Sequence, residues 1–357
     1  MSTSLPSDPL ATSLQQSAGP HFAEMYACHG VQIACRTNRQ QLVTMLDSLL
    51  AAFPLSSSLA GNAFYSLFSY DDVAQFPMQL PAQCIHTGTT CLQTNTLLKY
   101  YRTRDATIRY HSYSAQSGVN AAILSVLHSQ FACTQIAAFA ENEPSFLRRY
   151  VLVPALGQLL RTYGFFPCHA AAVTAPWDDQ QSALILGASG SGKTTLSLGS
   201  TSIGCGLLGD DLVLLQADGS GEIRVYSLMP EVSVRARTLD IWPALAFLKD
   251  YPEDKRGKRY CTIEQLRPGA RRLQSSLKAL VFPQISPATR STLVPLSKAQ
   301  TMQLLIEHCI SKTNIEVNEQ ESLFALLSSL VEQTPGYRMY SAKGQQDSAY
   351  LMCSLFK

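Results

Sequence analysis

The sequence predicts an α/β protein with two domains, a small α+β domain over residues 21–143 and an α/β domain over residues 144–357. The main observation is a short apolar run at residues 183–186, which is followed at once by a glycine-rich loop and a helix-forming segment. Strand and helix patterns also follow one another from residue 144 to the C-terminus. With 357 residues, 46% of them hydrophobic, the chain has ample material for a core.

The first domain is predicted from local patterns alone. Residues 1–20 are rich in Ser, Pro and Gln and are predicted to form a disordered tail. Residues 31–35 alternate as a half-buried strand does, and Asn38 is a candidate N-cap for a helix to Phe53. Further strands are predicted at residues 62–69, 106–113 and 131–139. We find no catalytic constellation in this domain.

The second domain begins with a predicted helix at residues 145–163, in which Pro154 marks either a kink or the true start. Residues 168–173 and 183–186 are predicted to pair as strands across a polar loop. The remaining helices are expected at residues 297–309 and 319–332. The remaining strands are expected at residues 207–215, 223–228, 231–237, 277–283 and 335–340.

The glycine-rich loop after residue 186 fits the phosphate-loop pattern G-x-x-x-x-G-K-[ST] at every fixed position. In such a loop successive N–H groups and the helix N-terminus converge on phosphate oxygens. Lys193 can reach the outer phosphates, and the Thr194 hydroxyl can hold a magnesium ion that bridges them. The predicted nucleotide contacts are Gly187, Ala188, Ser189, Gly190, Ser191, Gly192, Lys193, Thr194 and Thr195.

Two adjacent carboxylates, Asp210 and Asp211, follow the apolar residues 207–208 and Gly209. Carboxylates in an apolar strand are costly to bury unless they face a cation or hydrogen-bond donors. We therefore expect one of them on magnesium and the other beside the γ-phosphate. The alternative is that Gly-Asp-Asp forms a turn between two short strands.

These motifs resemble the nucleotide site of HPr kinase/phosphorylases, which phosphoenolpyruvate carboxykinases share. The resemblance rests on the loop, on the Gly-Asp-Asp that follows it, and on His169, which lies where both families have a His before the loop. It covers about residues 152–215 strongly and is essentially absent before them. It implies a P-loop kinase fold of the HPr kinase/carboxykinase type, with ATP and Mg²⁺ as cofactors.

The resemblance favours transfer of the γ-phosphoryl group of ATP to a hydroxyl, typically a Ser, of a protein, peptide or small molecule. We assign Asp210 provisionally as the proton acceptor, with His169 orienting the hydroxyl, and Thr194 and Asp211 as metal ligands. His169 could instead be a core residue. A non-catalytic ATP-binding regulator and a carboxykinase-like enzyme are the alternatives, although carboxykinases are much longer. A GTPase is not favoured, because no Asn-Lys-x-Asp is present.

Composition excludes several other classes. The net charge of +2 does not indicate a nucleic-acid partner, and no apolar run approaches the length of a membrane span. Ten cysteines without a C-x-x-C pair do not predict a zinc site, and reduced thiols suit a cytoplasmic protein. The charged fraction of only 15% leaves room for a homo-oligomer. Arg235 or Arg237 could clamp phosphate, and the basic run at residues 255–259 could meet an acidic group.

Overall fold

The computed structural model describes residues 22–50, 53, 61–70, 85–92, 96–102, 107–112, 122–128, 131–137, 148, 152–254, 257–310, 317–342 and 346–357. They form two compact units that divide between Tyr163 and Gly164, rather than after residue 143. Both units combine strands with helices, so the protein has the mixed α/β character predicted for it. The tail predicted over residues 1–20 lies outside the described residues.

The first unit contains an eight-stranded mixed sheet with the order β1-β2-β3-β8-β7-β6-β5-β4. Its β2–β3 and β3–β8 pairs are parallel, and all other neighbours are antiparallel. The strands are β1 Phe22–Cys28, β2 Val31–Thr37, β3 Gly61–Tyr70, β4 Ile85–Leu92, β5 Thr96–Arg102, β6 Thr107–Ser112, β7 Ala122–His128 and β8 Phe131–Ala137.

The described part of this unit includes two α-helices, α1 at Gln40–Leu50 and α2 at Val153–Arg161. Helix α1 packs on β1 and β2 through the apolar face that the sequence predicts, and α2 packs on β7 and β8. Pro154 stands in the first turn of α2, where a missing N–H costs no intrahelical hydrogen bond. Most of residues 145–151 lie outside the described part of the chain. The predicted strands at residues 31–35, 62–69, 106–113 and 131–139 are confirmed as β2, β3, β6 and β8.

The second unit is built on a nine-stranded sheet with β17 at its centre. Strand β11 pairs in parallel with one edge of β17, while β14 and the parallel strand β19 share the other edge. The path β12-β10-β11-β17-β14-β13-β9 is completed by β18, which pairs with β19. Its strands are β9 Phe166–Cys168, β10 Ala171–Thr174, β11 Gln181–Ile185, β12 Leu207–Gly209, β13 Val213–Ala217, β14 Ile223–Ser227, β17 Gln274–Ser286, β18 Thr292–Leu296 and β19 Gly336–Ala342.

The remaining elements of this unit are helices and a two-stranded ribbon. The ribbon pairs β15 (Glu231–Arg235) with β16 (Lys258–Thr262). The helices are α3 Lys193–Ser202, α4 Ala236–Ile241, α5 Ile263–Leu266, α6 Lys298–Leu305, α7 Val317–Gln333 and α8 Asp347–Cys353. Short 3₁₀ segments lie at Pro243–Asp250 and Ser354–Phe356, and a π turn at Ile306–Ile310 extends α6. Of the described helices, none is long and apolar enough to cross a membrane.

The central strands are buried on both faces, because alternate side chains enter two separate core clusters. Ile185 and Val281 point to the cluster that contains residues of α3 and α8. Leu184 and Leu280 point to the cluster that contains residues of α6 and α7. This double burial explains why the strand before the loop reads as a continuous apolar run and not as an alternating one.

Two stretches predicted as single strands are each divided in the structure. The stretch at residues 168–173 breaks at His169, because Ala170 N–H turns back to donate to Cys168 O over 2.9 Å. The stretch at residues 207–215 breaks into β12 and β13, with Asp210 and Asp211 in the bend between them. A Cβ atom on Gly209 would lie 2.8 Å from Leu212 O, so the bend requires glycine there. Asp210 and Asp211 therefore lie in a bend between two short strands and not inside one continuous strand.

Candidate functional site

The loop at residues 187–192 connects the end of β11 to the start of α3. It lies at the carboxyl edge of the parallel strands β11, β17 and β19, which is where ligands bind in sheets of this kind. Gly192 is the N-cap of α3 and has a φ of +105°, a conformation that residues with a side chain rarely adopt. The first N–H groups of the helix lack intrahelical acceptors and point toward the loop.

Lys193 turns back across this loop. Its ammonium donates to Gly187 O at 2.8 Å and to Ala188 O at 3.2 Å, and the residue is only 7% exposed. Ser191 N–H also donates to Ala188 O over 3.2 Å, which narrows the loop. The Ser191 hydroxyl is shielded from solvent without a hydrogen-bond partner among the described residues. The loop thus gathers a cation and several donors around one concave backbone segment, as anion sites do.

Asp210 lies beneath the first turn of α3. Its carboxylate accepts from Thr194 Oγ1 at 3.0 Å and from Ser197 Oγ at 2.6 Å, and the residue is 2% exposed. The pKa of Asp210 is raised to about 6, chiefly by burial and in part by the charge of Asp211. The two hydroxyl donors and the charge of Lys258 act in the opposite direction on this pKa. A buried carboxylate that is held by two hydroxyl groups is suited to bind a cation.

The raised pKa of Asp210 predicts a stability effect for Asp210→Asn. A rise from 3.8 to about 6 corresponds to about 3 kcal/mol, so the folded state binds the proton more tightly than the unfolded state. Stability is therefore lost as pH rises through this window. Without nucleotide or magnesium, Asp210→Asn should raise the Tm near pH 8 by about 3–6 °C, and the gain should vanish near pH 4.

Asp240→Asn is the matched control for this measurement, because the Asp240 side chain is 70% exposed on the surface, where its carboxylate pairs with Lys249. Calorimetric melting of the three proteins should leave this control within about 1 °C of the wild type at pH 8. A lower Tm for Asp210→Asn than for the control at pH 8 would contradict the account, in which burial destabilises the charged form of Asp210.

His169 and Asp211 form a second, more exposed contact. His169 Nδ1 lies 2.8 Å from Asp211 O and 3.3 Å from Asp211 Oδ1. Both side chains are 35% exposed, in contrast to Asp210. In the neutral imidazole a proton on Nδ1 is donated to this carbonyl, which leaves Nε2 as an acceptor. The break between β9 and β10 places His169 in this position.

Other residues expected at the site have different surroundings. The Thr195 hydroxyl lies 3.0 Å from Thr238 Oγ1 of α4, so this side chain joins two helices, while its N–H belongs to the first turn of α3. Arg235 and Arg237, the candidate phosphate clamps, are both exposed. In the basic run, residues 255–256 lie outside the described residues.

Sequence reasoning missed Ser197 and Lys258. Ser197 stands three residues after Thr194 on the same face of α3, and this spacing could have predicted their shared carboxylate. Lys258 acts on Asp210 through its charge, and its ammonium donates to Ser233 Oγ over 3.0 Å. From the sequence, Lys258 is recognisable only as one member of the basic run at residues 255–259, with no indication that it acts on Asp210.

The oxygens of Thr194, Asp210 and Asp211 are the kind that Mg²⁺ prefers. Within the part of the chain that the structure describes, no group of three His, Cys, Asp or Glu side chains could hold a metal ion. Protein sites for Mg²⁺ usually supply one or two carboxylates, and substrate phosphates and water complete the shell. The donor set therefore fits a magnesium ion that arrives with a nucleotide.

No protein family model matches the sequence, and no curated protein matches it. Among solved structures, the chain is similar to the Hpr(Ser) kinase/phosphatase from Coxiella burnetii. That match has a TM-score of 0.30 and 12% sequence identity, and it covers 53% of this chain and 93% of the other. The similarity is a distant one and concerns the fold alone.

Proposed function

We propose that the protein is an ATP-dependent kinase that transfers the γ-phosphoryl group to a hydroxyl of a protein, peptide or small molecule. One observation carries this proposal. The hydrogen bond of 3.0 Å between Thr194 and Asp210 joins the end of the loop to a buried carboxylate. The next residue in the chain is Asp211, whose partly exposed carboxylate lies 3.3 Å from His169 Nδ1. Phosphate binding, metal binding and proton acceptance are thereby assembled within one bend and one helix turn.

In this proposal the loop binds the phosphates of ATP. The N–H groups from Gly187 to Thr195 surround them, and Lys193 exchanges its bonds with Gly187 O and Ala188 O for phosphate oxygens. A bound Mg²⁺ would neutralise the phosphate charge and polarise the transferred group. Phosphoryl transfer requires positioning and charge neutralisation more than covalent chemistry. In this proposal the narrow loop positions the phosphates, and the ammonium of Lys193 neutralises part of their charge.

The geometry supports a different division of roles within the carboxylate pair from the one predicted from the sequence. The sequence assigns proton acceptance to Asp210, yet Asp210 is buried and shares a hydrogen bond with Thr194, the proposed metal ligand. A proton acceptor must reach the acceptor hydroxyl. Asp211 is more exposed and lies against His169. We therefore propose that Thr194 and Asp210 hold magnesium, while Asp211 and His169 receive the proton and orient the hydroxyl.

Acceptor dependence of ATP consumption tests the function. Extract fractions from cells that produce the protein would be supplied one by one as acceptor, and ADP formation would be measured. A kinase forms ADP in proportion to the acceptor consumed. ADP formation at the same low rate with and without every fraction would instead indicate an ATP-binding regulator.

Thr194→Ala should act mainly through the metal. The substitution removes the hydroxyl that lies 3.0 Å from Asp210, so the site should need a higher magnesium concentration to bind ATP. We expect the half-saturating magnesium concentration to rise about tenfold and high magnesium to restore part of the affinity. Thr195→Ala is the matched control, because its hydroxyl contacts Thr238 instead. Equal magnesium dependence in the two variants would remove Thr194 from the proposed metal site.

A further inference from the structure

Two buried thiols, those of Cys168 and Cys309, face each other in the second unit. Their Sγ atoms lie 3.4 Å apart although the residues are 141 positions apart in the chain. Neither cysteine forms a disulfide bond, and both are almost completely shielded from solvent. A disulfide bond needs an S–S distance of about 2.0 Å, so the sulfurs would have to approach by about 1.4 Å.

Cys168 is the direct neighbour of a proposed catalytic residue in the sequence. It ends β9, and the next residue is His169, whose Nδ1 lies 2.8 Å from Asp211 O. The hydrogen bond with Cys309 raises the pKa of Cys168, burial and the neighbouring sulfur raise it further, and the charge of Lys193 lowers it. The influence of Lys193 places this sulfur within electrostatic range of the loop.

Cys309 lies in an irregular segment of the fold. It belongs to the π turn Ile306–Ile310, an arrangement that is rare and concentrates at functional positions. The preceding residue, His308, lies against Phe282 of β17, with ring centroids 6.4 Å apart. The segment that carries Cys309 is therefore irregular, and it adjoins β17 through His308.

We propose that Cys168 and Cys309 are a modification site at which hydrogen peroxide forms a disulfide that slows phosphoryl transfer. The Cys309 sulfur attacks one oxygen of hydrogen peroxide and the O–O bond breaks, so that Cys309 becomes a sulfenic acid. The hydroxide that departs takes the Cys309 thiol proton and leaves as the first water. The Cys168 sulfur then attacks this sulfenic sulfur, the S–O bond breaks, and the Cys168 proton leaves with the oxygen as water. Two thiols are oxidised, and one peroxide is reduced to two waters.

The bond would act through the position of His169. Closing the gap between the sulfurs pulls the end of β9 toward the π turn and draws His169 with it. A displacement of about 1 Å at a reacting group can cost about 100-fold in rate. The π turn takes up part of the movement, so the displacement of His169 is smaller than the full closure of the gap. We therefore expect the rate of phosphoryl transfer to fall by about tenfold or more. Binding of ATP should change less than about threefold, since the loop is held by its own bonds. The rate effect rests on the proposed function, whereas the cross-link does not.

A second thiol pair provides an internal control. Cys205 and Cys353 also have Sγ atoms 3.4 Å apart. Cys205 follows the C-terminus of α3, whereas the loop precedes the N-terminus of the same helix, and Cys353 ends α8. A disulfide here would join α8 to the core at the end of α3 that is remote from the loop. It should raise the Tm without changing the transfer rate.

The experiment uses the full chain, reduced and then treated with hydrogen peroxide. Remaining thiols are alkylated, and linked peptides are identified by mass spectrometry. Transfer and ATP affinity are measured before oxidation, after it, and after dithiothreitol, for the wild type, Cys309→Ala and Cys353→Ala. We expect a Cys168–Cys309 peptide, reversible loss of transfer in the wild type and in Cys353→Ala, and no loss in Cys309→Ala.

Two results would overturn this proposal, namely no Cys168–Cys309 peptide at peroxide levels that link Cys205 to Cys353, or full transfer in cross-linked protein. The peptide is read from the wild type, so a Cys309→Ala variant that fails to fold does not affect the decision. If the reduced wild type transfers no phosphate at all, the kinase function fails, and the linked peptide still decides whether the modification site exists.

Discussion

Lys193→Ala is expected to weaken binding of Mg-ATP by about tenfold to 100-fold. Loss of one charged hydrogen bond to phosphate costs about 1.5–3 kcal/mol. In this protein the substitution also removes the donor shared by Gly187 O and Ala188 O, so the empty loop loses the contact that holds its shape. Titration calorimetry with ATP at saturating magnesium measures the affinity directly.

Lys298→Ala is the matched control, because Lys298 is an exposed lysine whose ammonium pairs with Glu332 on the surface. It removes the same charge and should leave ATP affinity unchanged. Equal affinity in Lys193→Ala and Lys298→Ala would show that the loop is not the nucleotide site. Loss of binding in both would point to an effect of net charge instead.

Asp211→Asn should lower phosphoryl transfer by about 10²- to 10⁴-fold, the range for a lost general base. ATP affinity should stay within about threefold, because Asp211 is proposed to contact the acceptor and not the loop. His169→Ala should also slow transfer, by a smaller factor, since His169 orients the hydroxyl. Single-turnover kinetics with an acceptor fraction separates these effects from binding.

Asp210→Asn is the comparison that decides between the two carboxylates. In the proposed assignment it raises the magnesium concentration needed for binding, as Thr194→Ala does. If Asp210→Asn instead abolishes transfer at unchanged magnesium dependence, and Asp211→Asn shifts the magnesium dependence, the roles are reversed and the assignment from the sequence was right. Wild-type transfer rates in both variants would contradict the kinase mechanism altogether.

The loop and its strand could be predicted from the sequence because their determinants are local. The pattern at residues 187–194 requires glycines, a Lys and a Thr at fixed spacing, and a doubly buried strand reads as an apolar run. The second unit also contains the predicted strands at residues 223–228 and 277–283 and both predicted C-terminal helices. Burial dictates each of these patterns.

The bend at Asp210 could not be predicted from apolar content alone. Residues 207–215 read as one strand, and only the packing of Gly209 against Leu212 reveals the turn. The bend determines that Asp210 is the buried carboxylate of the pair. It also places Asp210 in contact with Thr194 and Ser197. The thiol pairs were equally hidden, because Cys168 and Cys309 meet only through the tertiary fold.

Several elements were missed because their patterns are weak or short. Strand β18 is largely exposed, so it lacks the alternation of a half-buried strand. Helix α8 is seven residues long, and its buried residues are Ser348, Ala349 and Met352, a face with little apolar contrast. Strands β1, β4, β5 and β7 of the first unit were not predicted either.

Transfer of labelled phosphate tests the central claim most directly. Extract of cells that produce the protein would be depleted of nucleotides and incubated with ATP labelled in the γ-phosphate. The wild type, Lys193→Ala and Lys298→Ala would be added in separate reactions, and proteins, peptides and small molecules would be resolved. We predict a labelled acceptor, stable to hydroxylamine as phosphate esters of hydroxyls are, with the wild type and Lys298→Ala only. The same labelled species with all three proteins, or label only in inorganic phosphate, would contradict the proposal.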